Sequence, residues 1–271
     1  MQSCFSGCRQ LFRIDDSAHR WFQSYLSGRH QYVRRGSARS TIVYLICGVS
    51  QDSVLEPVLF VLYTVELISL TERHGQSPHL YADDTQVYGS CPPAAVDALS
   101  SQIAECADDT ATWMKSNRLQ LNPDKTEVLW CATSRRQHQL PSTRMLIDGL
   151  HITPVKSVRD LGIYIDADLS MRMHVQKTVS CCFAALRQLR QIRRYVPTST
   201  FQKLVAALVH SRLDYGNGVL VGIPAHLMRR LQSVLNAAAR LIFNLKRSDH
   251  ITDALVSGQP SLAAGPGAHT V

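Results

Sequence analysis

Between His79 and Gly89 the chain reads HLYADDTQVYG, two short runs of alternating character with a pair of aspartates between them. Leu80-Tyr81-Ala82 leads in and Val87-Tyr88 leads out, so the stretch predicts two strands that fold back with Asp83 and Asp84 at the bend. Because side chains alternate across a strand, a hairpin here fixes which residues meet a core and which meet solvent. Adjacent like charges at a tip repel, and the residues leave two readings open. In one, this is ordinary turn chemistry, since aspartate is common at tips and an exposed pair costs little. In the other, the pair holds a hard divalent cation. Mg²⁺ prefers oxygen ligands and completes its shell with one or two carboxylates plus substrate phosphates. Two such ions roughly 4 Å apart stabilise the attacking and leaving oxygens of phosphoryl transfer.

Charge favours a polyanionic partner. The 271 residues carry a net charge of +8, with 45% hydrophobic content, enough for one large domain or two small ones with cores of their own. The charge is uneven. From Asp83 to Glu127 eight acids stand against three bases, whereas from Met171 to His250 thirteen bases stand against Asp214 and Asp249. The eight cysteines form no CxxC pair, and the Cys4/Cys8 spacing lacks a second ligand pair at zinc-like distance. No uncharged apolar run approaches the ~18 residues of a membrane span, and the start lacks a signal-type apolar core. An intracellular protein with reduced thiols, nuclear or cytoplasmic and free of membrane partners, is expected.

The pattern along the chain predicts a mixed α/β part followed by a helical one. WFQSYLSGRHQYVRRG reads as a helix and then a basic strand, and STIVYLICGVSQ as a buried strand ending at Gly48. Leu55, Leu59, Leu62 and Leu67 recur at helical intervals, with Pro57 near the start, where a proline is tolerated. Val96, Leu99, Ile103, Cys106, Trp113 and Met114 mark an amphipathic helix. TEVLWCA and SVRDLGIYID each read as one strand, and TRMLIDGLHITPV as a hairpin turning at Asp148-Gly149. After Leu169 the texture becomes helical. Arg187, Arg190 and Arg194 follow at i, i+3 and i+7, a guanidinium stripe suited to phosphates or, equally, a solvated face. Leu227, Leu231, Val234, Leu235, Ala238, Leu241, Ile242 and Leu245 line one face of the last helix.

Several of these segments, in order, resemble the reverse transcriptase of non-LTR (LINE-type, jockey- and CR1-like) retrotransposons. GVSQDSVLEPVLFVLYTVEL resembles that family's motif B, YADDTQVY its motif C, and WMKSNRLQLNPDKTEVLW its motif D region. SYLSGRHQYV is similar to the region between motifs A and B, and SRLDYGNGVLVGIP and LQSVLNAAARLIF to the helical region downstream. The resemblance spans roughly residues 17 to 247. It implies an α/β (α+β) polymerase palm remnant over residues 1–168, an all-helical thumb-like region over 169–250, and a disordered tail over 251–271. It also implies an RNA template, a DNA primer and dNTPs as partners, with two Mg²⁺ (or Mn²⁺) ions. Asp83 and Asp84 are then the metal-binding, catalytic pair, and Gly48 and Gln51 face nucleotide and template. Lys125 stands at the position of a proposed general acid, with a plain exposed lysine as the other reading. Arg187, Arg190 and Arg194 grip the template–primer duplex.

The chain also departs from the family. No segment matches motif A, whose carboxylate completes the metal site, and Asp15-Asp16 lies too close to Gly48 to replace it. Asp52 and Glu56 stand where motif B has glycines, and Ser50 where proline is usual. Side chains there fill room the backbone needs, and two acids oppose an anionic substrate. A truncated polymerase, inactive alone, is expected. A non-catalytic nucleic-acid-binding fragment and a retroelement relic without function are the alternatives.

Overall fold

A computed structural model describes residues 16–45, 53–245 and Ile251. Gly48, Gln51 and nearly all of the expected tail lie outside the described residues. The chain divides into two compact units, Met1–Thr126 with Arg144–Ile152, and Glu127–Thr143 with Thr153–Val271. The strand pair before Leu169 thus belongs to the same unit as the helices after it.

The first unit opens with α1 (Asp16–Leu26) and a long bent hairpin of four two-residue strands. These are β1 (His30–Gln31), β2 (Arg34–Arg35), β3 (Ala38–Arg39) and β4 (Val43–Tyr44). The STIVY segment was expected to be buried, yet its described part is exposed at Ile42, Val43 and Tyr44. β-branched residues fit a pleated ribbon, and that preference carries no information about burial. Next come α2 (Glu56–Thr64), with Pro57 in its first turn, and α3 (Glu66–Arg73). The hairpin β5 (Ser77–Tyr81) and β6 (Asp84–Tyr88) follows, then α4 (Val96–Ser116).

Helix α4 buries Leu99, Cys106, Thr110, Ala111 and Met114 and is lashed to α2 and α3 by polar contacts. Tyr63 donates its hydroxyl to the Asn117 carbonyl at 2.6 Å, and the Trp113 indole donates to Glu66 at 3.2 Å. The hairpin β7 (Met145–Ile147) and β8 (Leu150–Ile152) turns at Asp148-Gly149, where both φ angles are positive as a type I′ turn requires. Its tip is pinned to α4. The Asp148 N–H donates to the Asp108 carboxylate at 2.6 Å, and Lys115 pairs with the Asp148 carboxylate.

In the second unit TEVLWCA contributes only an isolated bridge, Leu129 to Val155, instead of the expected strand. SVRDLGIYID, expected as one strand, is itself a hairpin of β9 (Ser157–Asp160) and β10 (Ile163–Asp166). Leu161 and Gly162 form its turn with φ of 43° and 87°. Leucine is a poor turn former in the left-handed region, and the bend is held from afar by the Tyr215 hydroxyl, which donates to the Leu161 carbonyl.

Helix α5 (Arg172–Ile192) starts on a cluster of acceptors. Asp166 accepts from the Met173 N–H at 3.1 Å, and Asp168 accepts from the Ser170 N–H at 3.1 Å and from Arg172 at 2.9 Å. Then come α6 (Thr198–Val205), a π turn over Ala206–His210, α7 (Ser211–Asp214) and α8 (Ala225–Phe243). One apolar cluster joins these helices, including Val175, Cys182, Phe201, Val205, Leu231 and Val234. Each fully buried side chain of this size stabilises the fold by about 1.5–3 kcal/mol.

Candidate functional site

The β5–β6 hairpin pairs Ser77 with Tyr88, His79 with Gln86 and Tyr81 with Asp84. Its bend is therefore Ala82-Asp83, with the positive φ (51°) on Ala82, a conformation glycine adopts more readily. Alternation puts Asp84 on the same face as Tyr81, His79 and Gln86, while Pro78, Leu80, Thr85 and Val87 share the other. Leu80 and Pro78 line a cavity of about 480 Å³ with Val61, Val65 and Ile68. The root of the hairpin is tight. A Cβ on Gly89 would sit 2.1 Å from the Gln76 side-chain oxygen and 2.9 Å from Leu99 Cδ1, so only glycine closes this end as it stands.

The bend thus lies one residue before the expected Asp83-Asp84: Asp83 is in it, Asp84 is the first residue of β6, and both are exposed. The donor chemistry suits a hard cation, because two carboxylates project from a tip whose backbone is fixed by the ladder behind it. The set is incomplete, however. Among the described residues no cluster of three or more His, Cys, Asp or Glu side chains forms a metal site. Lys125 sits apart from the pair in sequence and in local structure. It ends a short turn, Pro123–Lys125, in which the Asn122 side chain accepts from the Asp124 N–H, and it is exposed. No hydrogen bond or ion pair among the described residues joins it to either aspartate.

The arginine stripe is real as a surface. Arg187, Arg190 and Arg194 are exposed on and just beyond α5, while Val175, Val179, Cys182, Leu186 and Leu189 are buried on its inner side. Arg187 and Arg190 have no ion-pair partner among the described residues, and Arg194 lies over the Tyr195 ring at 5.6 Å. Guanidinium groups left without carboxylates are free to meet phosphates.

Arg193, between them, does a different job. It donates to the carbonyls of Leu241 at 3.1 Å and Ile242 at 2.8 Å and to the Thr198 hydroxyl at 3.2 Å, and it lies over Phe201 at 5.0 Å. It therefore satisfies two carbonyls at the C-terminus of α8 that the helix itself leaves open. Counting bases in the sequence does not separate it from its neighbours; only the packing does. At the other end of α5, burial lowers the His174 pKa below the usual imidazole range, and the Ser170 hydroxyl hydrogen bond lowers that of Asp168. Burial also raises the Cys182 thiol to about 11, so it is a packing group instead of a nucleophile.

A family model described as reverse transcriptase (RNA-dependent DNA polymerase) matches residues 6–165. The chain is 29% identical over 196 residues to the "Probable RNA-directed DNA polymerase from transposon BS" of Drosophila melanogaster, covering 69% of this chain and 21% of that protein. It is 28% identical over 231 residues to the corresponding protein of transposon X-element from the same organism, covering 81% and 24%. It is 24% identical over 249 residues to the "Retrovirus-related Pol polyprotein from type-1 retrotransposable element R2" of Popillia japonica, covering 87% and 39%. The chain thus spans about a fifth to two-fifths of the length of these relatives. No solved structure matches it. No helix among the described residues is long and apolar enough to cross a membrane. With more than half of its residues inside the matched model, the chain belongs to the reverse transcriptase (RNA-dependent DNA polymerase) family, of the non-LTR retrotransposon kind.

Proposed function

We propose that the chain works as part of an RNA-directed DNA polymerase of a non-LTR retrotransposon, and that it does not extend a primer by itself. The observation that carries this is the β5–β6 ladder, which sets Asp83 in the bend and Asp84 at the head of the following strand, both solvent-facing and inside the matched residues. Asp83 and Asp84 are the groups that would hold a divalent ion. Such an ion, when bound, supplies positive charge to phosphate oxygens during nucleotidyl transfer. The chain's own part is to fix the two carboxylates and to hold the template–primer duplex through Arg187, Arg190 and Arg194. Residues 1–168 then act as palm and 169–250 as thumb.

The inactivity follows from charge and space. Two carboxylates give fewer ligands than the site asks for, and Asp52 and Glu56 add negative charge where the nucleotide and template approach. The exposed carboxylates and the arginine surface also fit a second reading, a nucleic-acid-binding segment without chemistry.

Primer extension on an RNA template with Mg²⁺ or Mn²⁺ separates the two claims from their opposites. The expected result is no incorporation, with hybrid binding that weakens steeply as salt rises. Robust incorporation lost in Asp83→Asn would overturn the inactivity while strengthening the site. Salt-independent hybrid binding, or none, would overturn the role of the stripe.

A further inference from the structure

The hairpin of β1–β4 has a feature that the catalytic reading leaves unused. His30 pairs with Tyr44 and Gln31 with Val43, but Arg34 pairs with Arg39 and Arg35 with Ala38. The register therefore slips by one residue between the two ladders. The second strand carries one extra residue, at Thr41-Ile42, which is a β-bulge opposite Tyr32. Were that residue paired instead of bulged, Tyr44 and Arg39, five positions apart, would fall on opposite faces, since side chains alternate. With the bulge, one face of the ribbon gathers His30, Tyr32, Arg34, Arg39 and Tyr44. Ring contacts agree: Arg39 lies over Tyr32 at 5.0 Å, and the His30 and Tyr44 rings are 6.1 Å apart. The other face carries Gln31, Val33, Arg35, Ala38, Ser40 and Val43.

The gathered face is open and charged. Tyr44 is 71% exposed and Tyr32 40%. Arg34 and Arg39 oppose each other directly, a cross-strand pairing of like charges that destabilises a ribbon unless an anion sits between them. No acid of the same segment answers them, because Ser17 to Gln51 holds five arginines and neither Asp nor Glu. Arg34 donates to the Gly36 carbonyl at 3.1 Å and Arg39 lies over Tyr32, but neither meets a carboxylate among the described residues. Exposed rings flanked by such guanidiniums suit a polymer with stackable faces and a phosphate at each step. Duplex bases are already stacked, so the polymer is single-stranded.

We propose that the β1–β4 hairpin is a platform for unpaired nucleic acid, with Tyr32 and Tyr44 stacking bases and Arg34 and Arg39 holding the phosphates between them. The inference rests on the nucleic-acid reading above and adds a contact distinct from the duplex-holding arginines of α5.

The test is fluorescence anisotropy of the full chain with labelled oligo(U) of about 12 nucleotides and, separately, with an RNA–DNA hybrid. Tyr32→Ala/Tyr44→Ala is expected to weaken oligo(U) binding about tenfold or more and to leave hybrid binding within about twofold. Tyr44→Phe, which keeps the ring, retains oligo(U) binding. Inserting one glycine between Tyr32 and Val33 gives the extra residue a partner and makes the ladder continuous, which turns His30, Tyr32 and Tyr44 to the face opposite Arg34 and Arg39. It should therefore cost as much as losing a ring although every aromatic and arginine remains. Circular dichroism of each variant confirms the fold, which these exposed positions leave intact. Unchanged oligo(U) binding in the double variant and in the insertion overturns the platform, and does so while hybrid binding, if present, leaves the duplex reading standing. Tyrosine-dependent oligo(U) binding without hybrid binding does the reverse. Equal capture of an acidic peptide or of anionic vesicles, insensitive to the tyrosines, also overturns it.

Discussion

The two compact units solve the problem of stability differently. The second joins long helices around one continuous apolar cluster, in which Val175, Cys182, Phe201 and Val234 are fully buried. The first is built from short paired strands and three short to middling helices besides α4. Its compact apolar cluster centres on Leu62 and Val65, and much of the rest is held by single polar links such as Tyr63 to Asn117 and Trp113 to Glu66. Two-stranded ribbons are marginal by themselves and need a partner surface. The unit that carries the acidic bend and the aromatic hairpin is thus the one with less core to lose. The helical unit spends its burial on shape and presents its arginines from a rigid rod.

That contrast can be broken or sharpened by measurement, starting with the largest effect. Phe201→Ala removes a fully buried ring and should cost about 3–5 kcal/mol, against about 2 kcal/mol for Leu62→Ala in the first unit. Denaturant unfolding of the full chain reads both, and equal costs would erase the distinction. Arg193→Ala should cost about 2 kcal/mol, because it frees the Leu241 and Ile242 carbonyls and uncovers Phe201. Arg187→Ala, on the exposed stripe, should change stability by under about 0.5 kcal/mol in the same assay. Gly89→Ala should cost about 1 kcal/mol by pushing the Gln76 side chain and Leu99 away from the hairpin root. A stabilising result would show that the root is loose.

The smallest effect is acid sensitivity. His174 and Asp168 both have pKa values held below their ordinary 6.5 and 3.8, so the folded chain binds fewer protons at these groups than the unfolded one. Their contribution is complete above the unfolded values and is lost as pH falls, first through His174 and then through Asp168. His174→Gln should flatten the first part of that loss in melting temperature between about pH 7 and 5.

How much of this was legible in the sequence depends on whether a residue's role is local. The Asp148-Gly149 turn and most of the buried face of α8 follow from short-range rules and are where those rules put them, whereas the acidic bend, expected at Asp83-Asp84, falls one residue earlier at Ala82-Asp83. Turn formation at Leu161 is not local, because it depends on a tyrosine fifty-four residues away. Nor is the loss of a strand at TEVLWCA, where one bridge forms and the ladder does not continue. The basic stripe was readable by its spacing, but the separation of Arg193 from Arg190 and Arg194 was not. Three arginines on one short stretch look alike until the end of α8 arrives beside one of them. The acid pair shows the other limit: local rules bring Asp83 and Asp84 to the end of a hairpin, whereas a metal site requires donors from elsewhere, and the described residues bring none into a cluster.

The π turn at Ala206–His210 has a consequence for what this chain tolerates. Phe201, Val205, Val209 and Leu213 repeat every four residues and are all buried. In an ordinary α-helix each such step overshoots by about 40°, so the fourth member of the series would have swung well off the core. The widened turn absorbs that swing. Length, more than side-chain identity, is therefore the coordinate under tension here: swapping one aliphatic for another is a small adjustment, while removing one residue would rotate Leu213 and all that follows it out of phase.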